Sequence, residues 1–149
     1  SNLVLNFAGS GSTAYTSTNN IGDLRLARLN LNSTATVAET IQNSSGNAAG
    51  MLIFGLNSDG SASVLAPKIV QQNTGAFVIN THIQTNNVAT QTVEGVSFPG
   101  SPGLTLDGTT TGTGLLTLGG VISGNGSLTQ SSAAKFTTMR CRKTGRARA

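Results

Sequence analysis

Phe77-Val78-Ile79-Asn80-Thr81-His82-Ile83 alternates residue by residue, and that parity decides the fold class. In an extended chain successive side chains point to opposite faces, so Phe77, Ile79, Thr81 and Ile83 share one face while Val78, Asn80 and His82 share the other. A helix would instead place its apolar residues three and four apart. The same alternation recurs in short runs closed by Gly, Ser, Asn or Thr: Leu3 to Phe7, Leu24 to Leu26, Leu29 to Leu31, Met51 to Phe54, Lys68 to Val70, Thr92 to Phe98, Leu104 to Leu106, Leu115 to Leu118 and Ser127 to Thr129. Each reads as a strand. Thr36 to Gln42 could hold a helical turn at Ala38-Glu39, but the β-branched Val37, Thr40 and Ile41 favour a strand there too.

Strands this short suit either a β-sandwich or a stacked coil, and spacing separates the two. An aliphatic residue followed by Asn or Asp occurs at Leu5-Asn6, Leu31-Asn32, Leu56-Asn57, Ile79-Asn80 and Leu106-Asp107. Leu29-Asn30 fits the same pair and interrupts the series. A period of roughly 25 residues is the mark of a solenoid. The expected fold is therefore all-β, a parallel β-helix of roughly 25 residues per coil and about six coils, with a β-sandwich as the alternative. In such a helix Leu5, Leu31, Leu56, Ile79 and Leu106 would stack in one inward column, and asparagines at a corner would form amide ladders.

Composition agrees. Gly, Ser, Thr and Asn supply 70 of 149 residues, while charged residues make up only 9%, against roughly a quarter in an ordinary soluble domain. Leu, Ile, Val and Phe together contribute 36 residues, enough for a thin core. The formal charge of +4 is unevenly placed: Lys135, Arg140, Arg142, Lys143, Arg146 and Arg148 fall in the last fifteen positions, and residues 1–134 carry a balance of minus two. The division expected is a β-helical segment over 1–132 and a basic tail over 133–149. With no aromatic residue after Phe136 and no basic face on the body, the tail reads as solvated, and no specific nucleic-acid partner is expected.

Residues with catalytic chemistry are few. Asp23, Asp59 and Asp107 are the candidate acids, since β-helical polysaccharide lyases and hydrolases place paired carboxylates on one face of stacked coils. Asp59-Gly60 and Asp107-Gly108 are also turn dipeptides, and Asp23 follows Gly22 before a strand, so a turn role is preferred for all three. Arg25 and Arg28 are expected to form a surface pair with Asp23, and Lys68 is the remaining cation of the body. His82 lacks a second histidine or a nucleophile motif and reads as a solvent-facing strand residue. Cys141, the only cysteine, excludes an internal disulfide and, with a single histidine, the common Cys/His zinc clusters. Surrounded by cations it would be reactive, an incidental property in a tail. Gly108 to Gly114 lacks the Lys-Ser/Thr ending of a phosphate loop. No catalytic, metal or cofactor site is assigned.

The segment from Gly114 to Ser131, with Ile122-Ser123-Gly124-Asn125-Gly126-Ser127-Leu128-Thr129 at its centre, closely resembles the autotransporter-associated β-strand repeat, also called the passenger-associated transport repeat. Val121, Ile122 and Leu128 would point inward, and Asn125-Gly126 would supply a tight turn with positive φ. The Thr/Asn-rich remainder looks like the coils that precede such repeats. Gln130 stands where the family usually has Lys, and after Ser132 the expected continuation gives way to Ala133-Ala134-Lys135-Phe136-Thr137-Thr138 and the basic run. That loss of pattern suggests the truncated or frame-shifted end of a longer surface protein. The resemblance implies a right-handed β-helical passenger carried to the bacterial cell surface, a stalk or adhesive surface. Its partners would be the adjacent coils of the parent protein and, beyond them, a host surface, a glycan or neighbouring passengers. The competing expectation is a carbohydrate-active β-helix enzyme using Asp59 and Asp107.

Overall fold

A computed structural model describes residues 3–44, 50–55, 65–86, 91–93, 96–98, 103–131 and 136–139, and for 91–93, 96–98 and 136–139 it describes the backbone only. The first coil comprises β1 (Val4–Gly9), β2 (Thr16–Asn19) and β3 (Leu24–Leu26). The second comprises β4 (Arg28–Ser33), β5 (Glu39–Asn43) and β6 (Met51–Phe54), and the third β7 (Lys68–Gln71), β8 (Phe77–Ile79) and β9 (His82–Thr85). A hairpin of β10 (Gln91–Val93) and β11 (Val96–Phe98) intervenes. The fourth coil follows as β12 (Gly103–Gly108), β13 (Leu116–Leu118) and β14 (Ile122–Gly124), and a fifth begins with β15 (Ser127–Gln130) and β16 (Phe136–Met139).

Corresponding strands pair in parallel, giving three stacked sheets: β1-β4-β7-β12-β15, β2-β5-β8-β13-β16 and β3-β6-β9-β14. This is a parallel β-helix; the sandwich alternative, built from antiparallel sheets, does not form. The basic coil is 24 residues, the step from Val4 to Arg28 and again from Gly103 to Ser127. The second and third coils are longer, 40 residues from Arg28 to Lys68 and 37 from Lys68 to Thr105. Their excess falls between β6 and β7 and, with the antiparallel β10–β11 hairpin, between β9 and β12. With these insertions the described residues make four coils and the start of a fifth, where about six were expected. The insertions also correct the Thr92 to Phe98 strand, which belongs to the hairpin and not to a coil.

The Phe77 to Ile83 stretch turns a corner without losing its alternation. β8 and β9 lie in different sheets, yet Phe77, Ile79, Thr81 and Ile83 are all buried and Val78, Asn80 and His82 are not. One cluster gathers the inward residues of all three sheets, among them Leu29, Ile69, Phe77, Ile79, Leu106 and Leu116 at 0–1% exposure. Each buried side chain contributes roughly 1.5–3 kcal/mol, and stacking identical rungs turns a thin core into a continuous one.

The expected single column is corrected by the register. Leu5 stacks on Leu29, Leu29 on Ile69, and Ile69 on Leu106. Leu31 occupies the neighbouring column, on Phe7, and Ile79 belongs to the second sheet, between Ile41 and Leu118. Leu56 lies outside the described residues. Leu29-Asn30, which interrupted the series, is therefore the true partner of Leu5-Asn6. In the repeat-like segment, Ile122 and Leu128 pack against the core as expected, but the positive φ belongs to Gly124 (+106°), one residue before Asn125-Gly126. A β-carbon there would also collide with the Thr85 carbonyl of the neighbouring third coil, so glycine is required twice over.

Candidate functional site

Three surfaces have enough structure to act: the outward face of the first sheet, the outward face of the second, and the open end of the first coil. On the first sheet, inward Leu and Ile residues leave the alternate positions polar, and these tie rung to rung. The Asn30 amide donates to the Asn6 side-chain oxygen at 2.7 Å, and Asn73 donates to Asn32 at 3.3 Å. The amide ladder thus forms in part, on the strand face and beside the next turn. Further along, the Thr111 hydroxyl donates to the Gln72 carbonyl at 2.8 Å, as does that of Thr109 at 3.0 Å.

Asp107 is the centre of this face. Lys68 Nζ lies 2.7 Å from its Oδ2, while the Ser131 hydroxyl donates to Oδ1 at 2.5 Å and the Gly108 N–H does so at 2.9 Å. One carboxylate therefore ties the third, fourth and fifth coils together. The Lys68 hydrogen bond, followed by that from Ser131, holds the Asp107 carboxyl down at about 2, against an ordinary 3.8. A group so engaged is a poor proton donor or acceptor near neutrality and a good structural tie.

That depression makes a prediction. A carboxyl whose pKa is lower folded than unfolded adds stability above about 3.8, and that contribution is lost as pH falls toward 2. Because the pair is part-exposed and screened, Asp107→Asn should cost about 1 kcal/mol at pH 6. Urea unfolding of both proteins from pH 7 to pH 2 should show the gap close in the acid range, and a gap independent of pH would refute the role of the charge.

The second sheet carries a β-branched column outward. Thr16 pairs with Thr40, Thr40 with Val78, and Val78 with Thr117 in backbone register. Its inward column holds a residue that the sequence reading passed over. Glu39, 1% exposed, sits between Tyr15 in the coil above and Phe77 in the coil below, and the Tyr15 hydroxyl interacts with its carboxylate without bringing either oxygen to full hydrogen-bond geometry. Burial, and next the Glu39 carboxylate, push the Tyr15 hydroxyl above its ordinary 10.0. The signal was in the sequence: Glu39 shares parity with Ile41, which is buried.

The open end is a half-enclosed cavity of about 170 Å³ in the first coil, framed by Leu5, Phe7, Leu24, Ile41, Leu52 and Ile21. Ile21 at its lip is 74% exposed. The turn that presents it is held by Asn19, whose side-chain nitrogen donates to the Gly22 carbonyl at 2.7 Å and whose oxygen accepts the Ile21 N–H at 3.2 Å.

The remaining sequence candidates disperse. Asp23 accepts the Met51 N–H at 3.0 Å, a cross-coil tie and not the expected pair with Arg25 and Arg28; the ion pair found among the described residues is Lys68–Asp107. The Arg28 Nε is buried with no partner among the described residues. Asp23 precedes the third-sheet strand of the first coil and Asp107 lies in the first sheet of the fourth, so these two acids do not share a face. His82 is half-buried opposite Met51, facing outward. Gly108 to Gly114 form the corner between β12 and β13. Asp59, Cys141 and the basic run lie outside the described residues. Among the described residues no three His, Cys, Asp or Glu side chains gather in a metal-binding group. No family model matches the chain, and neither the curated proteins nor the solved structures yield a match.

Proposed function

We propose that this chain is a scaffold segment of a secreted or surface-displayed bacterial protein, a β-helical stalk that projects neighbouring regions and presents polar faces to partners without catalysing a reaction. The observation that carries this reading is the uninterrupted inward packing from Leu5 through Leu29 and Ile69 to Leu106, a core that transmits load from rung to rung. The engagement of Asp107 in two coil-tying contacts, with Lys68 and Ser131, and in a local one with the Gly108 N–H, supports a structural use of the acid that an enzyme reading would need. The autotransporter character and the cell-surface location rest on the resemblance over 114–131. The outside partners, a host surface, a glycan or neighbouring passengers, would meet the Asn and Thr faces.

A stalk built of coils should yield coil by coil. Pulled by its termini in a single-molecule force experiment, the intact chain should lengthen in steps set by the 24-, 37- and 40-residue coils, about 80 Å for the shortest and about 130 Å for the longer two. Extension in one event with no coil-sized intermediate would overturn the reading of the chain as a stalk. Digestion of intact source cells by an added protease tests location, and a chain protected until lysis would exclude surface display.

A further inference from the structure

The outward face of the second sheet differs from the other two in charge and in what its polar groups do. Its central column is Thr16, Thr40, Val78 and Thr117, in register through β2, β5, β8 and β13 with no shift between rungs. Two residues further along each strand stand Thr18, Gln42, Asn80 and Gly119, the last placed where a β-carbon would strike the Asn80 side-chain oxygen. Ala38, Ala76 and Leu115 border the central column on its other side. Every one of these side chains is uncharged. The outward charges among the described residues, Asp23, Arg25, Arg28, Lys68 and Asp107, belong to the first and third sheets or to the corner beside them. On the first sheet the polar groups bind one another, Asn30 to Asn6 and Asp107 to Lys68 and Ser131. On the second, no side chain of Thr16, Thr18, Thr40, Gln42, Asn80 or Thr117 bonds to another described residue, so each hydroxyl and amide faces whatever lies outside.

We propose that this face binds ice, adsorbing to a growing crystal through the methyl, hydroxyl and amide groups of its two columns. The occupant follows from spacing and charge. Rungs stand about 4.8 Å apart and alternate residues of a strand about 6.7 Å apart, so the outward groups form a net fixed by the backbone ladder. Crystalline water presents an uncharged net of donors and acceptors with repeats close to both lengths. β-branched side chains are stiff at χ1, so they hold a methyl and a hydroxyl in the same place on successive rungs. Val78 keeps the shape and the methyls and lacks only the hydroxyl. Other occupants meet an obstacle. A sugar, soluble or crystalline, is gripped largely by aromatic side chains, and this face has none among its described residues. A nucleic acid requires cations. A second copy would meet a patch about 15 Å on a side, far below the roughly 800 Å² that each partner of a stable pair buries. A solid lattice requires registry, rigidity and the absence of strongly hydrated charges, and those are the properties this face has.

The test uses the intact chain and ice itself, with two readouts: coarsening of a fine-grained ice film held just below its melting point, and uptake of the protein into slowly growing ice, from which ordinary solutes are excluded. The wild-type chain should keep the grains small and should enter the ice. Thr40→Lys sets a charge at the centre of the net and should abolish both effects with an unchanged circular dichroism spectrum. Val70→Lys adds the same charge to the outward face of the first sheet, beside Asn30, and should leave both effects intact. Val78→Thr completes the hydroxyl column and should lower the concentration needed to halt coarsening. A wild-type chain that is excluded from ice and lets the grains grow, activity retained in Thr40→Lys, or an equal loss in Val70→Lys would each overturn the proposal. Should Thr40→Lys fail to fold, Val78→Thr decides, and the absence of a gain there overturns it. The proposal rests on the fold and on this one face, so its failure leaves the stalk reading to the force and protease measurements.

Discussion

Phe77→Ala is expected to remove about 3–5 kcal/mol of stability, a large share of the roughly 5–15 kcal/mol that holds a domain of this size. Phe77 is 0% exposed in the middle coil, stacked between Glu39 and Leu116, with its N–H donating to the Leu115 carbonyl at 2.8 Å. The cost has two parts: the lost transfer of a ring from water, and a cavity that extended strands on both sides cannot collapse to fill. In a solenoid there is a third consequence. Each coil is stabilised by its nearest neighbours, so a void in the third coil weakens the coupling of the second to the fourth. Phe7→Ala supplies the control, because Phe7 lines the open cavity and is only half-buried. Chemical unfolding of dilute protein should show Phe7→Ala costing less than half as much. Equal costs would mean that the first coil is as well covered as the third, and would contradict the open end.

The contrast between these phenylalanines also shows what the sequence made legible. Parity gave the strands, and it survived even the corner inside Phe77 to Ile83, because burial alternates with backbone geometry whether or not the sheet changes. The length of the basic coil, 24 residues, was legible as a period near 25, but the lengths were not legible rung by rung. The 40- and 37-residue coils carry inserts that a fixed spacing cannot anticipate, and in the insert-free first step Leu29 and Leu31 both point inward, so pairing Leu5 with Leu31 slipped the column by one inward position. β2 escaped notice because Thr16-Ser17-Thr18-Asn19 has no large apolar residue; at the end of the stack its inward positions face a cavity and not a core. Of the polar surface, Asp107 was legible as a turn residue but its partners were not. Lys68 and Ser131 are 39 and 24 residues away in sequence, and only the stacking register brings them to one carboxylate.

Glu39→Met is expected to stabilise the protein by about 1–3 kcal/mol, the range associated with an unsatisfied buried polar group. On a chain of this length that raises Tm by about 2–4 °C for each kcal/mol. Met has similar length and no polar atoms, so it can fill the space between Tyr15 and Phe77 without leaving two oxygens unpaired. The carboxylate has room only because residue 9 is glycine: a β-carbon there would coincide with Glu39 Oε1. Gly9→Ala should therefore destabilise the wild type and cost much less beside Glu39→Ala, and a double-mutant cycle would measure that coupling. A second readout reports on electrostatics apart from packing. Tyr15 is the only tyrosine in a chain without tryptophan, so its ionisation can be followed by ultraviolet absorbance. Two causes raise its pKa, burial and the Glu39 carboxylate; removing the second should lower it partway toward 10.0 while burial keeps the rest of the shift. Loss of stability in Glu39→Met together with an unmoved Tyr15 titration would refute this account of the column, because a buried carboxylate held only by a weak contact with one hydroxyl should not be worth more to the fold than the apolar group that replaces it.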